Sequence, residues 1–182
     1  MKLEEKTLSS QTLYEGRIID LTLDDVMLPN GEKAKREVVK HPAGVTVAAL
    51  TDENELLFVK QYRYPFHEVV LELPAGKIDD AHTTPLENGK RELLEETGAV
   101  GYSYVSLGAF YVSPGITDEI VYMYFCKVDH FEQQQLDEDE FVNVEKIPLD
   151  KAVEMVLNNR IPDGKTQTAV LKTAMLLRSA EK

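Results

Sequence analysis

The run from Gly76 to Ala99, GKIDDAHTTPLENGKRELLEETGA, constrains the chain more than any other stretch. It spells both ends of a short helix and loads one side of it with acid. Thr84 is a good N-cap, Pro85 stands at the first helical position where an N–H has no intrahelical use, and Glu87 falls at the third, the spacing of a capping box. Gly98 stands where a left-handed residue closes a helix. Between these limits Glu92, Glu95 and Glu96 occupy i, i+3 and i+4 and so project from one face. Like charges stacked this way oppose helix formation by about 0.2–0.5 kcal/mol per pair. A solvated face is the ordinary explanation of a Glu-rich helix. Hard oxygen ligands on a rigid element are also what Mg2+ or Mn2+ needs when it is shared with phosphate oxygens. Spacing alone leaves both open.

The rest of the chain bounds the answer. Its 182 residues suit one medium domain, or a domain with a small appendage. Hydrophobic content of 43% with 29% charged residues is ordinary for a globular protein. No apolar run is long enough to span a bilayer, and MKLEEKTLSS is polar and acidic, unlike a secretory signal. The single cysteine, Cys126 in VYMYFCKV, has no internal disulfide partner and reads as a small core residue. A cytoplasmic protein is the expectation. The net charge of −12 argues against a general affinity for nucleic-acid backbone. A small anionic substrate stays possible, because arginines and bound cations reverse the sign within a pocket.

Residues 1–43 read as a β-rich leader. GRIIDLTLDDVMLP and AKREVVKH are strands joined by a turn at Pro29-Asn30-Gly31, forming either an extra sheet or an arm that crosses to a second copy. Arg36 and Glu37 are charges on the second strand, with an exposed face as their plain explanation. VTVAAL and ELLFVKQYR form the next hairpin across Asp52-Glu53-Asn54, and Arg63 ends it before Pro65 interrupts pairing. HEVVLELPAG leads into the loop at Gly76, which permits a close backbone approach and so allows the Ala75 carbonyl to face a site. After the helix come two aromatic strands separated by Ser113–Thr117. The run Asp137–Glu140 reads by composition as a solvated loop. Asp150 is expected to cap the next helix, and Ala169, Leu171, Met175, Leu176 and Leu177 to lay the last helix on a sheet. His41, His67, His82 and His130 match no metal-ligand spacing. This order predicts a mixed α+β fold.

RELLEETG, preceded by PAGK and the Gly76 loop, resembles the signature of the Nudix hydrolases. Arg91, Glu92, Leu93, Glu95, Glu96, Gly98 and Ala99 match it position for position. Two departures stand out: Thr83 occupies the place of the family's first glutamate, and Gly76 lies one residue further from Arg91, which puts an insertion within residues 78–82. The resemblance implies an α/β/α sandwich over residues 44–182 with residues 1–43 as an N-terminal β-rich extension. It implies Glu92 and Glu96 as principal metal ligands, helped by Glu95 and the Ala75 carbonyl, with Mg2+ or Mn2+ as the ion. Gly76, Arg91 and Gly98 take structural roles in the box.

From Arg36 onward the chain is similar to the ADP-ribose pyrophosphatase branch, through KREVVKH, VKQYRYP, LELPAGK, YVSPG and DEDEFVNV. Pro114, sixteen residues past Gly98, fits that branch too. Its members exchange an N-terminal strand extension to form a homodimer whose pocket draws on both copies. This implies Arg36, Glu37 and Arg63 as substrate contacts, and Glu140 as catalytic base with Glu138 as second choice. The implied reaction is hydrolysis of ADP-ribose to AMP and ribose 5-phosphate, with no nucleic-acid or membrane partner. The rivals are the same chemistry on another nucleotide sugar or dinucleotide, and a non-catalytic module that senses ADP-ribose. Sensors of that kind lose box carboxylates, whereas Glu92, Glu95 and Glu96 are intact here.

Overall fold

A computed structural model of the chain describes residues 2–78, 82–136 and 140–180. They divide into two units, residues 1–43 with 111–120, and residues 44–110 with 121–182.

In the first unit, β1 (Lys6–Glu15), β2 (Asp20–Met27) and β3 (Lys33–Lys40) form an antiparallel sheet in that order. The expected turn joins β2 to β3: Gly31 has φ +87° and its N–H donates to the Leu28 carbonyl at 2.9 Å. Strand β1 was not among the expected strands, since KTLSSQTLYE lacks apolar alternation and every residue of it is exposed. Pairing with β2 makes it a strand, with register shifts between Thr7 and Ser9 and between Thr12 and Tyr14. Residues 111–120 were expected with the core but group with this sheet. The Val39 N–H donates to the Ile116 carbonyl at 2.7 Å, and the His41 N–H to Asp118 Oδ1 at 3.0 Å.

The second unit holds β4 (Gly44–Leu50), β5 (Glu55–Arg63), β6 (Glu68–Glu72), β7 (Ala75–Lys77), β8 (Ala99–Tyr111), β9 (Ile120–Phe131) and β10 (Val142–Pro148). Their order is β10-β5-β4-β9-β8, with β6 paired to β5 and β7 to β4. Strand β4 runs parallel to β9 and antiparallel to β5 and β7. Every residue of β4 is buried, as in a strand covered on both faces. The period of two sorts its side chains. Val47 and Ala49, with Leu57 of β5, pack on Leu93 of α1 (Pro85–Thr97). Ala48 and Leu50, with Leu56 and Phe58, pack on Ala152 and Val156 of α2 (Leu149–Leu157) and on Ala169, Val170 and Ala174 of α3 (Gly164–Ala180). One helix covers one face and two cover the other, so the expected α/β/α sandwich is what forms. Cys126 is buried on the α1 side, as expected of a core residue.

Two expectations on the C-terminal helices are corrected. Asp150 does not cap α2; Pro148 holds that position without a side-chain cap, and Asp150 lies in the first turn, where its charge meets the helix dipole. Met175 is 66% exposed. The buried stripe of α3 runs Thr166, Ala169, Val170, Thr173, Ala174, a helical face that turns Met175 outward and leaves Leu171, Leu176 and Leu177 on its flanks. Among the described residues no helix is long and apolar enough to cross a membrane.

Candidate active site

Helix α1 is closed at both ends as its sequence demands. Thr84 Oγ1 accepts the Glu87 N–H at 3.2 Å while Glu87 Oε2 accepts the Thr84 N–H at 2.7 Å, completing the capping box. Such a cap is worth about 0.5–2 kcal/mol. Gly98 has φ +71°, its N–H donates to the Leu94 carbonyl at 2.8 Å, and a Cβ there would meet the Glu132 carbonyl at 2.5 Å. With its ends fixed, the helix turns Glu92 and Glu96 inward, to 6% and 2% exposure.

The other wall is the turn from β6 to β7. The Pro74 carbonyl accepts both the Val47 N–H and Thr46 Oγ1, each at 3.0 Å, which pins the turn to β4. Ala75 then donates its N–H to Glu96 Oε2 at 2.9 Å. This N–H is the Ala75 group in hydrogen-bond contact with the cluster. Gly76 faces Glu92 so closely that a Cβ would lie 2.0 Å from the carboxylate carbon. Only a residue without a side chain leaves that carboxylate in place.

Arg91 bridges Glu92 and Glu95. Its Nη2 donates to Glu92 Oε1 and its Nη1 to Glu95 Oε2, both at 2.5 Å. Among the described residues Glu96 has no guanidinium on it, only the Ala75 N–H. Burial pushes the Glu96 carboxyl up to about 8, against the pull of the Ala75 N–H, and Glu92 and Glu140 add to the rise while Arg63 opposes it. Burial pushes Glu92 up to about 7 against the pull of Arg91, helped by Glu95 and Glu140. Glu140 therefore lies within electrostatic range of both inner carboxylates. Glu138 lies outside the described residues, as does most of the loop insertion. Thr83, in place of the family's first glutamate, accepts a 2.6 Å hydrogen bond from Asn88 Nδ2 on α1.

Among the described residues no group of three or more His, Cys, Asp and Glu side chains is arranged to hold a metal ion by itself. The donor set nevertheless fits a hard divalent cation. Two buried carboxylates kept from ionising freely by their own neighbourhood offer the one or two protein ligands that Mg2+ characteristically takes, the rest of its shell coming from water and substrate phosphate.

Arg63 ends β5 on a different carboxylate. Its Nε donates to Glu72 Oε1 at 2.5 Å and its Nη2 to Glu72 Oε2 at 2.7 Å, a bidentate fork. Lys165 at the start of α3 donates to Oε2 as well. Burial pushes the Glu72 carboxyl up, but Arg63 and Lys165 together hold it below the usual carboxylate range. Removing one partner from a buried pair of this kind costs about 3–5 kcal/mol. Arg36 forms a fork of its own in the first unit, with Nε and Nη2 on Glu5 at 3.0 and 2.6 Å. Glu37 stands opposite Leu23 in the β2–β3 ladder.

The structure thus gathers Ala75, Gly76, Arg91, Glu92, Glu95 and Glu96, with Glu140 in electrostatic range and Arg63 in the field of Glu96. Arg36 and Glu37 belong to the other unit. Glu72 and Lys165 went unnoticed in the sequence. For Glu72 the signal was its place just before the Pro74-Ala75-Gly76 turn; Lys165, ninety-three residues from Glu72, gave none.

A sandwich whose β6–β7 turn and capped helix bring buried glutamates together is the architecture of the Nudix hydrolases, and the chain belongs to that family. The NUDIX domain model matches residues 40–168, and that of the nucleoside diphosphate sugar hydrolase N-terminal domain matches residues 5–39. Among its relatives, the ADP-ribose pyrophosphatase of Bacillus subtilis (strain 168) is 42% identical over 170 residues, 92% of this chain and 91% of the relative. The methanol dehydrogenase activator of Bacillus methanolicus is 42% identical over 169 residues, with the same coverage. The GDP-mannose pyrophosphatase of Yersinia enterocolitica serotype O:8 / biotype 1B is 33% identical over 155 residues, 78% of this chain and 80% of the relative. A crystal structure of an ADP compounds hydrolase superposes with a TM-score of 0.88 over 99% of this chain and 98% of its own, at 18% identity, a likeness of fold.

Proposed function

We propose that the chain is an enzyme that hydrolyses the diphosphate linkage of ADP-ribose to AMP and ribose 5-phosphate, as a cytoplasmic homodimer that uses Mg2+, with Mn2+ able to replace it. The observation that carries this reading is the burial of Glu92 and Glu96 against the Ala75–Gly76 turn. Two carboxylates pushed up to about 7 and 8 are poised for a cation, and a chain of this kind is 42% identical to an ADP-ribose pyrophosphatase.

Glu92 and Glu96 would hold the cation, with Glu95 and the Ala75 carbonyl at its margin. When bound, it supplies neutralisation of the diphosphate charge and acidification of water. The remaining steps belong to the chain. Water attacks one phosphorus, Glu140 accepts the proton from the water oxygen, and the P–O bond to the other phosphate breaks to release the two monophosphates. Arg63 grips the diphosphate through its planar fork, and Arg36 and Glu37 of a second copy contact the substrate. Arg91 orients Glu92 and Glu95, and Gly98 ends the helix that carries them.

The GDP-mannose pyrophosphatase relatives favour a second reading, in which the same chemistry acts on another nucleotide sugar. Purified protein incubated with Mg2+ and ADP-ribose, ADP-glucose, NADH, GDP-mannose or 8-oxo-dGTP separates the two. AMP released fastest from ADP-ribose, and blocked by EDTA, is the expected result. Faster turnover of another substrate keeps the chemistry and discards the substrate. Absence of turnover with a melting temperature raised by ADP-ribose turns the assignment to a sensor.

A further inference from the structure

Glu72 is a buried carboxylate with two cations on it, and the two are not alike. Its side chain is 3% exposed at the end of β6. Lys165 reaches it from the start of α3, where the chain is fastened in several places. Lys165 Nζ also lies 3.1 Å from Asp163 Oδ1, Asp163 Oδ2 accepts the Thr166 N–H at 3.0 Å, and Thr166 Oγ1 accepts the Leu73 N–H at 2.8 Å. The first turn of α3 is thereby tied to the residue that follows Glu72, and the Lys165 side chain is 16% exposed. Arg63 is 39% exposed. Its Nη1 makes no hydrogen bond among the described residues, and it lies in the field of Glu96. One cation is anchored; the other stands at the edge of the site.

We infer that Lys165 is a positioning residue which, by holding Glu72, leaves Arg63 able to exchange that carboxylate for the substrate diphosphate. The physical reason is the asymmetry of buried pairs. A buried carboxylate stripped of its only cation is strongly disfavoured, so without Lys165 the Arg63 fork is locked where it stands. With Lys165 in place, Glu72 keeps a counter-ion while Arg63 turns to two phosphate oxygens, an acceptor geometry its fork matches equally well. The inference rests on the reading of Arg63 as a diphosphate contact.

The test is a set of variants assayed on whichever nucleoside diphosphate the wild type hydrolyses, so that the choice of substrate and the role of Lys165 fail separately. Lys165→Met is expected to raise KM about tenfold with kcat within about threefold, the signature of lost binding equally shared by ground and transition states. Lys165→Arg restores KM, because a cation on Glu72 is what matters. In a Glu72→Gln background the carboxylate no longer needs holding, so Lys165→Met then leaves KM within about twofold. This background also keeps the test open should Lys165→Met alone fold poorly, since it removes the unpaired buried charge. A KM rise that persists in the Glu72→Gln background overturns the inference in favour of direct substrate contact by Lys165. A lowered melting temperature with unchanged KM overturns it in favour of a purely structural ion pair. A wild type inert on every nucleoside diphosphate overturns it together with the reading beneath it.

Discussion

Glu96 is a carboxylate placed where carboxylates are disfavoured, at 2% exposure with Glu92 and Glu140 acting on it. Its carboxyl and that of Glu92 rise from the ordinary 4.5 to about 8 and about 7. The folded chain therefore holds these protons more tightly than the unfolded chain. Their contribution to apo stability is complete below about pH 4.5 and is lost as pH climbs through 7 to 8. In EDTA the melting temperature should fall by several degrees between about pH 5 and pH 8.5, and Mg2+ should recover most of the loss at the alkaline end. The net charge of −12 works in the same direction, so the informative comparison is Glu96→Gln. That variant should flatten the apo slope, fold normally and have no turnover; a wild-type slope in it, or a wild-type rate, sinks the assignment. Glu140 is argued at the same scale. Glu140→Gln should lower kcat by about 10²–10⁴ with KM nearly unchanged, as expected for loss of a general base. If Glu138→Gln is the damaging change instead, the base has been misassigned.

Between elements, the site depends on how closely the turn into β7 approaches α1. Gly76→Ala would put a methyl 2.0 Å from the Glu92 carboxylate carbon. The obstructing atoms are the far end of a side chain, so the fold can yield by swinging Glu92 aside, at the expense of a metal ligand. The expected variant melts within a few degrees of wild type, loses activity by about 10²-fold or more, and needs more Mg2+ for what remains. Wild-type kinetics from it would show that Glu92 is not held in place by this contact. How much was legible in the sequence follows from the same distinction. The ends of α1 were, because Thr84, Pro85, Glu87 and Gly98 act on their own backbone neighbours. The three glutamates were legible as a face, though which of them would be buried depended on where β4 and β7 lie. Met175 was misplaced because an apolar residue on a helix declares its hydrophobicity but not which stripe the sheet selects. Strand β1 was missed because it has no apolar alternation and takes its form from β2. Lys165 and Glu72 were invisible as a pair, since nothing local joins residues so far apart.

At the scale of the whole molecule, the open question is what the first unit contributes. Its outer strand β1 is exposed along its whole length, including Leu8, Leu13 and Tyr14 at 47–57%, and among the described residues Arg36 is engaged with Glu5 and the Lys35 carbonyl. An exchanged homodimer gives these residues a task, with Arg36 and Glu37 of one copy serving the glutamates of the other. Such an arrangement makes a prediction that no monomer can meet. Arg36→Ala and Glu96→Gln each damage both sites of their own homodimer. In a mixed dimer, one site takes Glu96 from the Arg36→Ala copy and Arg36 from the Glu96→Gln copy and is whole, while the other carries both defects. Random reassortment makes half the dimers mixed, with one good site in each, so the mixture should regain about a quarter of wild-type activity from two nearly inactive proteins. The measurement is initial rate after the two variants are mixed, unfolded in urea and refolded together, beside each refolded alone. Activity that is only the average of the two parents would mean each site is built from one chain, and Arg36 and Glu37 would return to being an exposed strand face.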